Sequence, residues 1–541
     1  MTELDLPVVD FTPGRWGNPA HAITLPDGTR GALDALGIHP VGTSVPLEDV
    51  QLPAPTITDD ARAALVDVVG AANVADSDAE RLAHLRGWSM ADLLRLRAGD
   101  ATAAPDLVVR PGGHDEVVAV LQACARHRVA VVPFSGGTSV VGGLDPERGG
   151  FTAVVALDVG RLDAVESIDP ISRTAVLQSG LRAPRAEEVL RAEGFTLGHF
   201  PQSYEGASIG GYAAARSAGQ SSAGYGRFDD MVVALVLATP QGTLRLGTAP
   251  KSAAGPDLRQ LVLGSEGAFG VITSVTVRIR PAPAHRVFEG WRFPDFATGA
   301  AAFRQLAQDG PLPTVLRLSD EAETSLNLAD PAGGPGAGAG GCLAITGYEG
   351  TPDEVDRRRD LASAVLRDGG GEPLGAEPGE KWRTGRFQAP YLRDPLLDAG
   401  AIVETLETAT FWSNLGALKA AVTTAIEAEF AAQGALGIVL CHISHVYETG
   451  ASLYFTVAGA QVEDALGEWT RVKTAANAAI RAAGGTISHH HGVGRDHRAT
   501  YAEEIGPLGV AVLQAVKATV DPAGIMNPGI LVPRADGSGD D

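Results

Sequence analysis

Apolar positions along the chain follow two periods, and each period predicts a different kind of element. Continuous or alternating apolar runs predict strands, and two of these runs, joined by Pro240-Gln241-Gly242, predict a hairpin. The predicted strands cover residues 106–110, 130–134, 153–158, 174–179, 231–239, 243–246 and 271–280. Apolar side chains at helical spacing predict helices over residues 115–128, 415–432 and 464–483. The first hundred residues have a mixed, partly helical pattern.

The length of 541 residues exceeds what one ordinary core organises, so we expect more than one domain. A β-α-β pattern begins shortly after residue 100, and Pro281 and Pro283 end the strand-rich part. Asp330–Gly341 has almost no side chains that can pack, which predicts a mobile loop. The predicted divisions are a lead-in at 1–100, a first domain at 101–283, a second domain at 284–485 and a C-terminal segment at 486–541.

Composition narrows the classes of partner and compartment. The formal charge of −22 disfavours nucleic acid, because neutralising phosphates needs a basic face. Three widely spaced cysteines form neither a disulfide framework nor a CxxC metal motif, which fits a reducing compartment. The N-terminus lacks the basic region of a signal peptide, and no apolar run is long enough to span a bilayer. We expect a cytoplasmic protein, and peripheral contact with a membrane stays open.

A glycine-bearing loop, Pro133 to Ser139, follows one predicted strand. Gly136 and Gly137 carry no Cβ and can adopt positive φ, so successive backbone N–H groups can converge on a diphosphate. A lone pair of glycines is more often a tight turn, but segments 202–219 and 264–272 carry further glycines. The last segment lacks the GxGxxG spacing of a nicotinamide dehydrogenase. Together the three segments favour a different dinucleotide site.

Six of the 13 histidines lie between His442 and His497, which indicates a site. Three of them are consecutive, and a run this short and internal is not an expression tag. In an extended segment His489 and His491 would share a face while His490 points away, and no carboxylate or cysteine cluster completes a ligand set nearby. We therefore expect no metal. Acid/base chemistry is the favoured interpretation, because imidazole titrates near neutral pH.

The glycine segments resemble the FAD-binding domain of flavoproteins of the vanillyl-alcohol oxidase type, whose PxGGGTS-like loop holds the pyrophosphate. The resemblance implies an α+β fold, with a two-subdomain FAD-binding domain, an α/β cap that binds substrate and a C-terminal segment returning to the flavin. Thr138 and Ser139 stand where covalently flavinylated members carry histidine, which implies non-covalent FAD. The residues implied for the cofactor are Pro133, Phe134, Ser135, Gly136, Gly137, Thr138, Ser139, Gln202, Ser203, Ser208, Gly211, Arg216, Ser217, Gly219, Glu266, Gly270, Val271, Ile272 and Asn527.

Within that family the chain resembles the alkyldihydroxyacetonephosphate synthases, which exchange an acyl chain for a fatty alcohol without net redox change of the flavin. The most specific match is Ser488 to Gly494, with the sequence SHHHGVG. Taken alone, Tyr454 would be a core tyrosine, and Arg317 and Arg393 would form surface ion pairs. The resemblance instead implies that Tyr454 helps to activate the substrate and that the two arginines bind its anionic group. It also implies catalytic roles for His489, His490 and His491.

His442 and His445 stand where the synthases carry an arginine and an amide, and we expect both to contact substrate. Paired histidines there resemble the FAD-linked D-2-hydroxy-acid dehydrogenases. We expect a homodimer that acts on a small anion, a phosphate or a carboxylate that can carry a lipid chain. The synthase reaction is the first prediction. Oxidation of D-lactate-like 2-hydroxy acids and a flavin-less binding protein of the same fold are the alternatives.

Overall fold

The computed structural model describes residues 7–42, 44–327 and 340–533, so most of the predicted loop Asp330–Gly341 lies outside the described residues. Every strand and helix predicted above is present, with ends that move by at most two residues. Helix 415–432 and strand 153–158 have the predicted bounds. The partly helical pattern of the first hundred residues is also confirmed, since four α-helices lie there among the described residues.

The elements alternate between strands and helices along most of the chain. In the described residues the strands are β1 (Val74–Ala75), β2 (Leu107–Val109), β3 (Val129–Phe134), β4 (Ala153–Asp158), β5 (Val165–Asp169), β6 (Thr174–Gln178), β7 (Phe195–Thr196), β8 (Val232–Thr239), β9 (Gly242–Leu246), β10 (Val271–Arg278), β11 (Arg280–Pro281), β12 (His285–Phe293), β13 (Val315–Ser319), β14 (Cys342–Gly350), β15 (Glu372–Gly375), β16 (Ala401–Phe411), β17 (Gly437–Val446) and β18 (Gly450–Ala460). The α-helices are α1 (Asp27–Ala35), α2 (Asp59–Val69), α3 (Asp78–Ala83), α4 (Met90–Arg97), α5 (His114–His127), α6 (Ala183–Ala192), α7 (Ile209–Ala215), α8 (Ser222–Tyr225), α9 (Phe228–Met231), α10 (Arg259–Val262), α11 (Phe296–Asp309), α12 (Glu321–Asn327), α13 (Pro352–Asp368), α14 (Ala376–Gly385), α15 (Arg393–Asp398), α16 (Leu415–Ala432), α17 (Ala465–Ala482) and α18 (Arg498–Val520). Short 3-10 helices lie at Pro19–His21, Leu47–Asp49, Ala71–Asn73, Ala389–Leu392 and Trp412–Asn414.

The first sheet has the order β1-β2-β4-β3, and its pairs are parallel except for β1 with β2. Strand β4 is an apolar run buried almost throughout, as a parallel strand between packed layers requires. Helices α2 and α5 share its core, so this layer begins before residue 101. The C-terminal segment returns to it, because Met526 forms a parallel bridge with Val131 and the N–H of Asn527 donates to Val131 O at 2.8 Å.

A second, antiparallel sheet with the order β5-β6-β10-β8-β9 completes the strand-rich half. Its core is shared with helices α6 and α7. The loop after β3 meets the loop before α7, since a Cβ on Gly136 would lie 1.9 Å from the carbonyl oxygen of Gly206.

The third sheet is antiparallel and has seven strands in the order β15-β12-β14-β13-β17-β18-β16. Leu453 and Phe455 face the core that this sheet shares with helices α11, α13, α16 and α17. Because side chains alternate along a strand, Tyr454 lies on the opposite face. Ser319 pairs with His442, His442 with Tyr454, and Tyr454 with Glu407, so one row of residues crosses four strands on that face.

Two segments outside the sheets connect these parts. The N-terminal segment reaches the third sheet's side, where the N–H of Trp16 donates to Asp394 at 2.7 Å. Helix α18 is interrupted at Gly506, which has φ of 70° and precedes Pro507.

Among the residues described, no helix is both long enough and apolar enough to cross a membrane.

Candidate active site

The three glycine-bearing segments lie in close contact at their glycines. A Cβ on Gly136 would lie 1.9 Å from the carbonyl oxygen of Gly206, and a Cβ on Gly267 would lie 2.8 Å from Pro133 Cγ. Gly137 has φ of +65°, a conformation that glycine adopts at little cost. Residues 133–140 are only half-buried although they run between buried elements. The structure therefore brings the predicted segments together with no room for side chains between them.

Unpartnered polar atoms mark this region as suited to a polar ligand. Ser135 Oγ and Gln202 Oε1 are buried and have no hydrogen-bond partner among the described residues. Buried polar atoms are nearly always paired in folded proteins, because leaving them unpaired costs free energy. A bound dinucleotide would supply the missing partners. The residues present fit the predicted FAD.

Several other residues predicted for the cofactor have side chains engaged within the protein. Ser208 Oγ accepts the N–H of Gly211 at 3.3 Å and caps α7. Arg216 Nε donates to Leu263 O at 2.9 Å, and Ser217 Oγ lies 3.0 Å from His199 Nε2. Val271 and Ile272 are buried in β10. These residues can offer a cofactor mainly their backbone.

Glu266 and Asn527 connect the glycine segments to the C-terminal segment. The Glu266 carboxylate accepts the N–H of Val493 at 2.9 Å and that of Gly494 at 3.0 Å. Asn527 Nδ2 donates to Glu266 O at 2.7 Å and to Gly143 O at 3.0 Å. Burial raises the pKa of Glu266 to about 7, although these N–H groups oppose the rise. Both side chains thus act as links between segments.

The loop that carries the three histidines wraps around a buried carboxylate on β16. Glu407 accepts the backbone N–H groups of His489, His490 and His491, at 2.5, 3.1 and 2.8 Å. An extended segment cannot point three successive N–H groups at one acceptor. The expectation that His490 points away from its neighbours is therefore wrong. The rings of His489 and His490 are 5.1 Å apart, and those of His490 and His491 are 4.7 Å apart.

The histidines form a continuous cluster with two further residues. Tyr447 Oη lies 2.5 Å from His489 Nε2, and His489 Nδ1 lies 2.9 Å from His490 Nδ1. The ring of His445 stacks on His489 at 4.9 Å. Nitrogen atoms of His445, His489 and His490 lie within 4.8 Å of one another, so these residues could also hold a metal ion. The extended geometry assumed for the segment did not foresee this arrangement.

Burial sets the protonation of this cluster. It lowers the pKa of His445, His489 and His490. Neighbouring imidazoles lower the pKa of His445 and His489 further. At neutral pH these rings are uncharged and can accept protons. Burial raises the pKa of Tyr454 to about 12, so its hydroxyl keeps its proton. The Tyr454 ring centroid lies 6.0 Å from His490 and 5.7 Å from His491.

Arg317 and His442 share a carboxylate on the same sheet face. Arg317 donates to Glu323 Oε1 at 2.7 Å and to His442 Nε2 at 2.9 Å. His442 Nδ1 lies 3.1 Å from Glu323 Oε2, and its ring stacks on Tyr454 at 4.9 Å. Burial and the Arg317 charge lower the pKa of His442, so the ring is uncharged at neutral pH, and Arg317 Nη2 also lies 3.1 Å from its Nδ1. Burial opposes ionisation of Glu323, yet His442 and Arg317 lower its pKa to about 2.

Arg393 lies apart from these contacts. Its Nη1 donates to Trp88 O at 2.8 Å and is 4.0 Å from Glu404, and the guanidinium carbon lies 5.6 Å from the Trp16 ring. Its Nε and Nη2 are buried without a hydrogen-bond partner among the described residues. Two unpaired donors in a fork suit an anion. The structure does not bring Arg393 into contact with the histidines.

Sequence reasoning missed four residues of this site, namely Glu407, Tyr447, Glu323 and Arg227. Arg227 Nη1 donates to His489 O at 3.0 Å. A signal was present for two of them. Tyr447 lies two residues after His445, directly after the end of β17, and residues two apart in extended backbone share a face. Glu407 directly follows the apolar Leu406 in the strand-like run 401–411, and a carboxylate buried in a strand must find donors.

Two family models match the chain: the FAD binding domain over residues 105–247 and the C-terminal domain of FAD linked oxidases over residues 282–531. The alkyldihydroxyacetonephosphate synthase of Dictyostelium discoideum is 34% identical over 484 residues, which are 85% of this chain and 78% of that protein. The chain belongs to the alkyldihydroxyacetonephosphate synthase family. Its predicted cofactor is confirmed as FAD, and its predicted fold class is confirmed.

Two further comparisons separate the synthases from the D-lactate dehydrogenases as relatives of this flavoenzyme. A solved alkyldihydroxyacetonephosphate synthase structure superposes with a TM-score of 0.81 at 28% identity, over 96% of this chain and 98% of that one. The mitochondrial D-lactate dehydrogenase [cytochrome] of Arabidopsis thaliana is 28% identical over 447 residues, which are 80% of this chain and 74% of that protein. The synthases are therefore the better supported relatives. Non-covalent attachment of FAD stays a prediction.

Proposed function

We propose that this flavoenzyme exchanges the acyl chain of an acyl-dihydroxyacetone phosphate for a fatty alcohol. The observation that carries the proposal is the contact of Tyr454 with His490 and His491, at ring distances of 6.0 and 5.7 Å. Exchange at the substrate's C1 needs one group that keeps a proton to give and others that are free to take one. A protonated phenol against uncharged imidazoles provides both. The 34% identity to a synthase supports the same reaction.

Tyr447, His489 and His490 would form the path of the proton. They are joined in series by distances of 2.5 and 2.9 Å. If the bonds run from His490 towards Tyr447, His490 Nε2 is left free to accept a proton. If they run the other way, Nε2 carries one. Reversing the series therefore changes His490 from acceptor to donor while all three groups stay uncharged.

The anionic group of the substrate would be bound by arginines of the second half of the chain. Arg317 is fixed by Glu323 on the face that carries Tyr454, and Arg393 offers two unpaired donors. His442 and His445 would contact the same substrate, since the His442 ring stacks on Tyr454 and the His445 ring lies against His489 and His490. When bound, FAD supplies the reactive ring at which the exchange takes place. Ser135 and Gln202 would contribute polar contacts to it.

The lipid nature of this substrate supports peripheral contact with a membrane, where such chains reside. The homodimer and the cytoplasmic location stay predictions. Oxidation of a 2-hydroxy acid is the second candidate, supported by the paired His442 and His445 and by the 28% identity to the D-lactate dehydrogenase.

The test is incubation of the FAD-loaded enzyme with palmitoyl-dihydroxyacetone phosphate and hexadecanol. We expect an alkyl-dihydroxyacetone phosphate by mass spectrometry, and none from His490→Ala carrying equal FAD. A parallel anaerobic sample receives D-lactate and longer 2-hydroxy acids. No alkyl product from the FAD-loaded wild type would reject the proposal, and bleaching of the flavin by a hydroxy acid would establish the second candidate instead.

A further inference from the structure

We propose that Glu407 is the positioning residue of the histidine loop, holding His489, His490 and His491 in their reactive arrangement without contacting substrate itself. The proposal rests on the proposed function in one respect, because the histidines must be the groups that move protons. No residue of the three glycine segments takes part in it. It concerns how one carboxylate of the third sheet organises four consecutive residues of a loop.

The geometry of Glu407 is that of an anion in a nest of donors. Glu407 is only 2% exposed, and it pairs with Tyr454 in the strand register. Besides the three histidine N–H groups, it accepts the Ser488 hydroxyl at 2.7 Å. Four donors from consecutive residues therefore converge on two oxygen atoms. Such convergence requires a bent backbone, and the bend turns the three rings towards one another.

The same carboxylate also lies beside ring nitrogens. Glu407 Oε2 is 3.5 Å from His490 Nδ1, and Oε1 is 3.9 Å from His491 Nδ1. A negative charge on that side favours a proton on Nδ1, which leaves Nε2 of each ring free to accept one. Glu407 thus relates to His490 as a buried aspartate relates to the histidine of a catalytic triad, by fixing the orientation of the ring and favouring the tautomer that accepts a proton at Nε2.

The Glu407 carboxylate is charged while it holds the histidine loop. Burial opposes ionisation, yet the adjacent histidines and the Ser488 hydroxyl hold the pKa of Glu407 below its usual range. Arg227 completes the support from the other side of the loop, where it donates to His489 O. Uncharged glutamine in place of Glu407 keeps the shape, but its NH2 group would face N–H donors.

The test compares Glu407→Gln with the wild type, both loaded with FAD. Amide hydrogen exchange of the peptide that contains residues 488–491 is followed by mass spectrometry. We expect exchange at least about tenfold faster in the variant. We also expect kcat to fall about 100-fold, with KM within about threefold and FAD content unchanged.

A matched control is Glu187→Gln. Glu187 is a buried carboxylate that also accepts backbone N–H groups, from Leu197 at 2.9 Å and Gly198 at 3.0 Å, but it touches no histidine of the loop. We expect it to lower the melting temperature comparably while leaving exchange at residues 488–491 unchanged. Glu407→Asp, which keeps the charge on a shorter arm, serves if the glutamine variant does not fold, and faster exchange is expected there too.

Two results overturn the proposal: protected amides at residues 489–491 in the Glu407 variants, or unchanged kcat despite faster exchange. A wild-type enzyme that makes no alkyl product rejects the proposed function instead. In that case the exchange rates alone decide whether Glu407 holds the loop.

Discussion

Both carboxylate oxygens of Glu266 accept the backbone N–H of Gly494, each at 3.0 Å. Glu266 belongs to the third glycine segment, whereas Gly494 ends the SHHHGVG loop. The other end of that loop is held by Glu407 of the third sheet. The histidine loop is therefore held between two carboxylates, one from the third glycine segment and one from the third sheet, and each carboxylate can be tested separately.

Glu266→Gln should change how stability depends on pH. The folded-state pKa of about 7 lies above the ordinary 4.5, so the group stabilises the fold below about pH 4.5 and this contribution is lost as the pH rises to 7. Over that pH range the free energy of unfolding of the wild type should fall by about 3 kcal/mol relative to that of the variant. Urea unfolding at pH 5 and pH 7.5 measures this. Parallel pH profiles for the two proteins would show that Glu266 is ionised like an exposed glutamate.

Gly136→Val should expel FAD. A Cβ there would lie 1.9 Å from the Gly206 carbonyl oxygen, so the first two glycine segments would have to separate. We expect FAD occupancy of the purified variant to fall roughly tenfold or more, measured from the flavin absorbance per protein, because the segments no longer converge. The control is Gly113→Ala, since a Cβ at Gly113 meets nothing within 4 Å. Full occupancy in Gly136→Val would contradict the assignment of this loop to the cofactor.

Tyr454→Phe should abolish turnover while FAD stays bound. The change removes only the hydroxyl, and the ring can keep its stacking on His442 at 4.9 Å. Loss of a positioned proton donor typically costs about 100-fold to 10,000-fold in rate. His490→Ala should behave similarly. The measurement is kcat of each variant at equal flavin content, and a rate near that of the wild type in Tyr454→Phe would remove the phenol from the mechanism.

Arg317→Ala should destabilise the fold as well as weaken substrate binding. It would leave the Glu323 carboxylate buried beside a neutral imidazole, which should cost about 3 kcal/mol of unfolding free energy. Adding Glu323→Gln removes the uncompensated charge, so the double variant should regain most of that loss. Urea unfolding of the two single variants and the double variant gives the coupling free energy between Arg317 and Glu323. If the two losses simply add, Arg317 and Glu323 do not act as a pair.

Local patterns predicted the elements well, and they predicted the segments that meet at the cofactor. Gly136 and Gly267 were found because a missing side chain at a turn is visible in the sequence itself. The orientation of His489 to His491 was not predictable in this way. It depends on Glu407, which lies 82 residues before His489 and reaches it only through the third sheet. Likewise, Arg317 contacts His442, which lies 125 residues later in the chain, because strands β13 and β17 pair.

The central claim is that a flavin held by the glycine segments serves an exchange reaction run by uncharged histidines and a protonated tyrosine. A single anaerobic turnover tests it directly, with palmitoyl-dihydroxyacetone phosphate and hexadecanol mixed with stoichiometric FAD-loaded enzyme while absorbance and products are followed together. We predict that alkyl product and free fatty acid appear in equal amounts and that the flavin ends the turnover oxidised. Lasting flavin reduction without alkyl product would contradict the account.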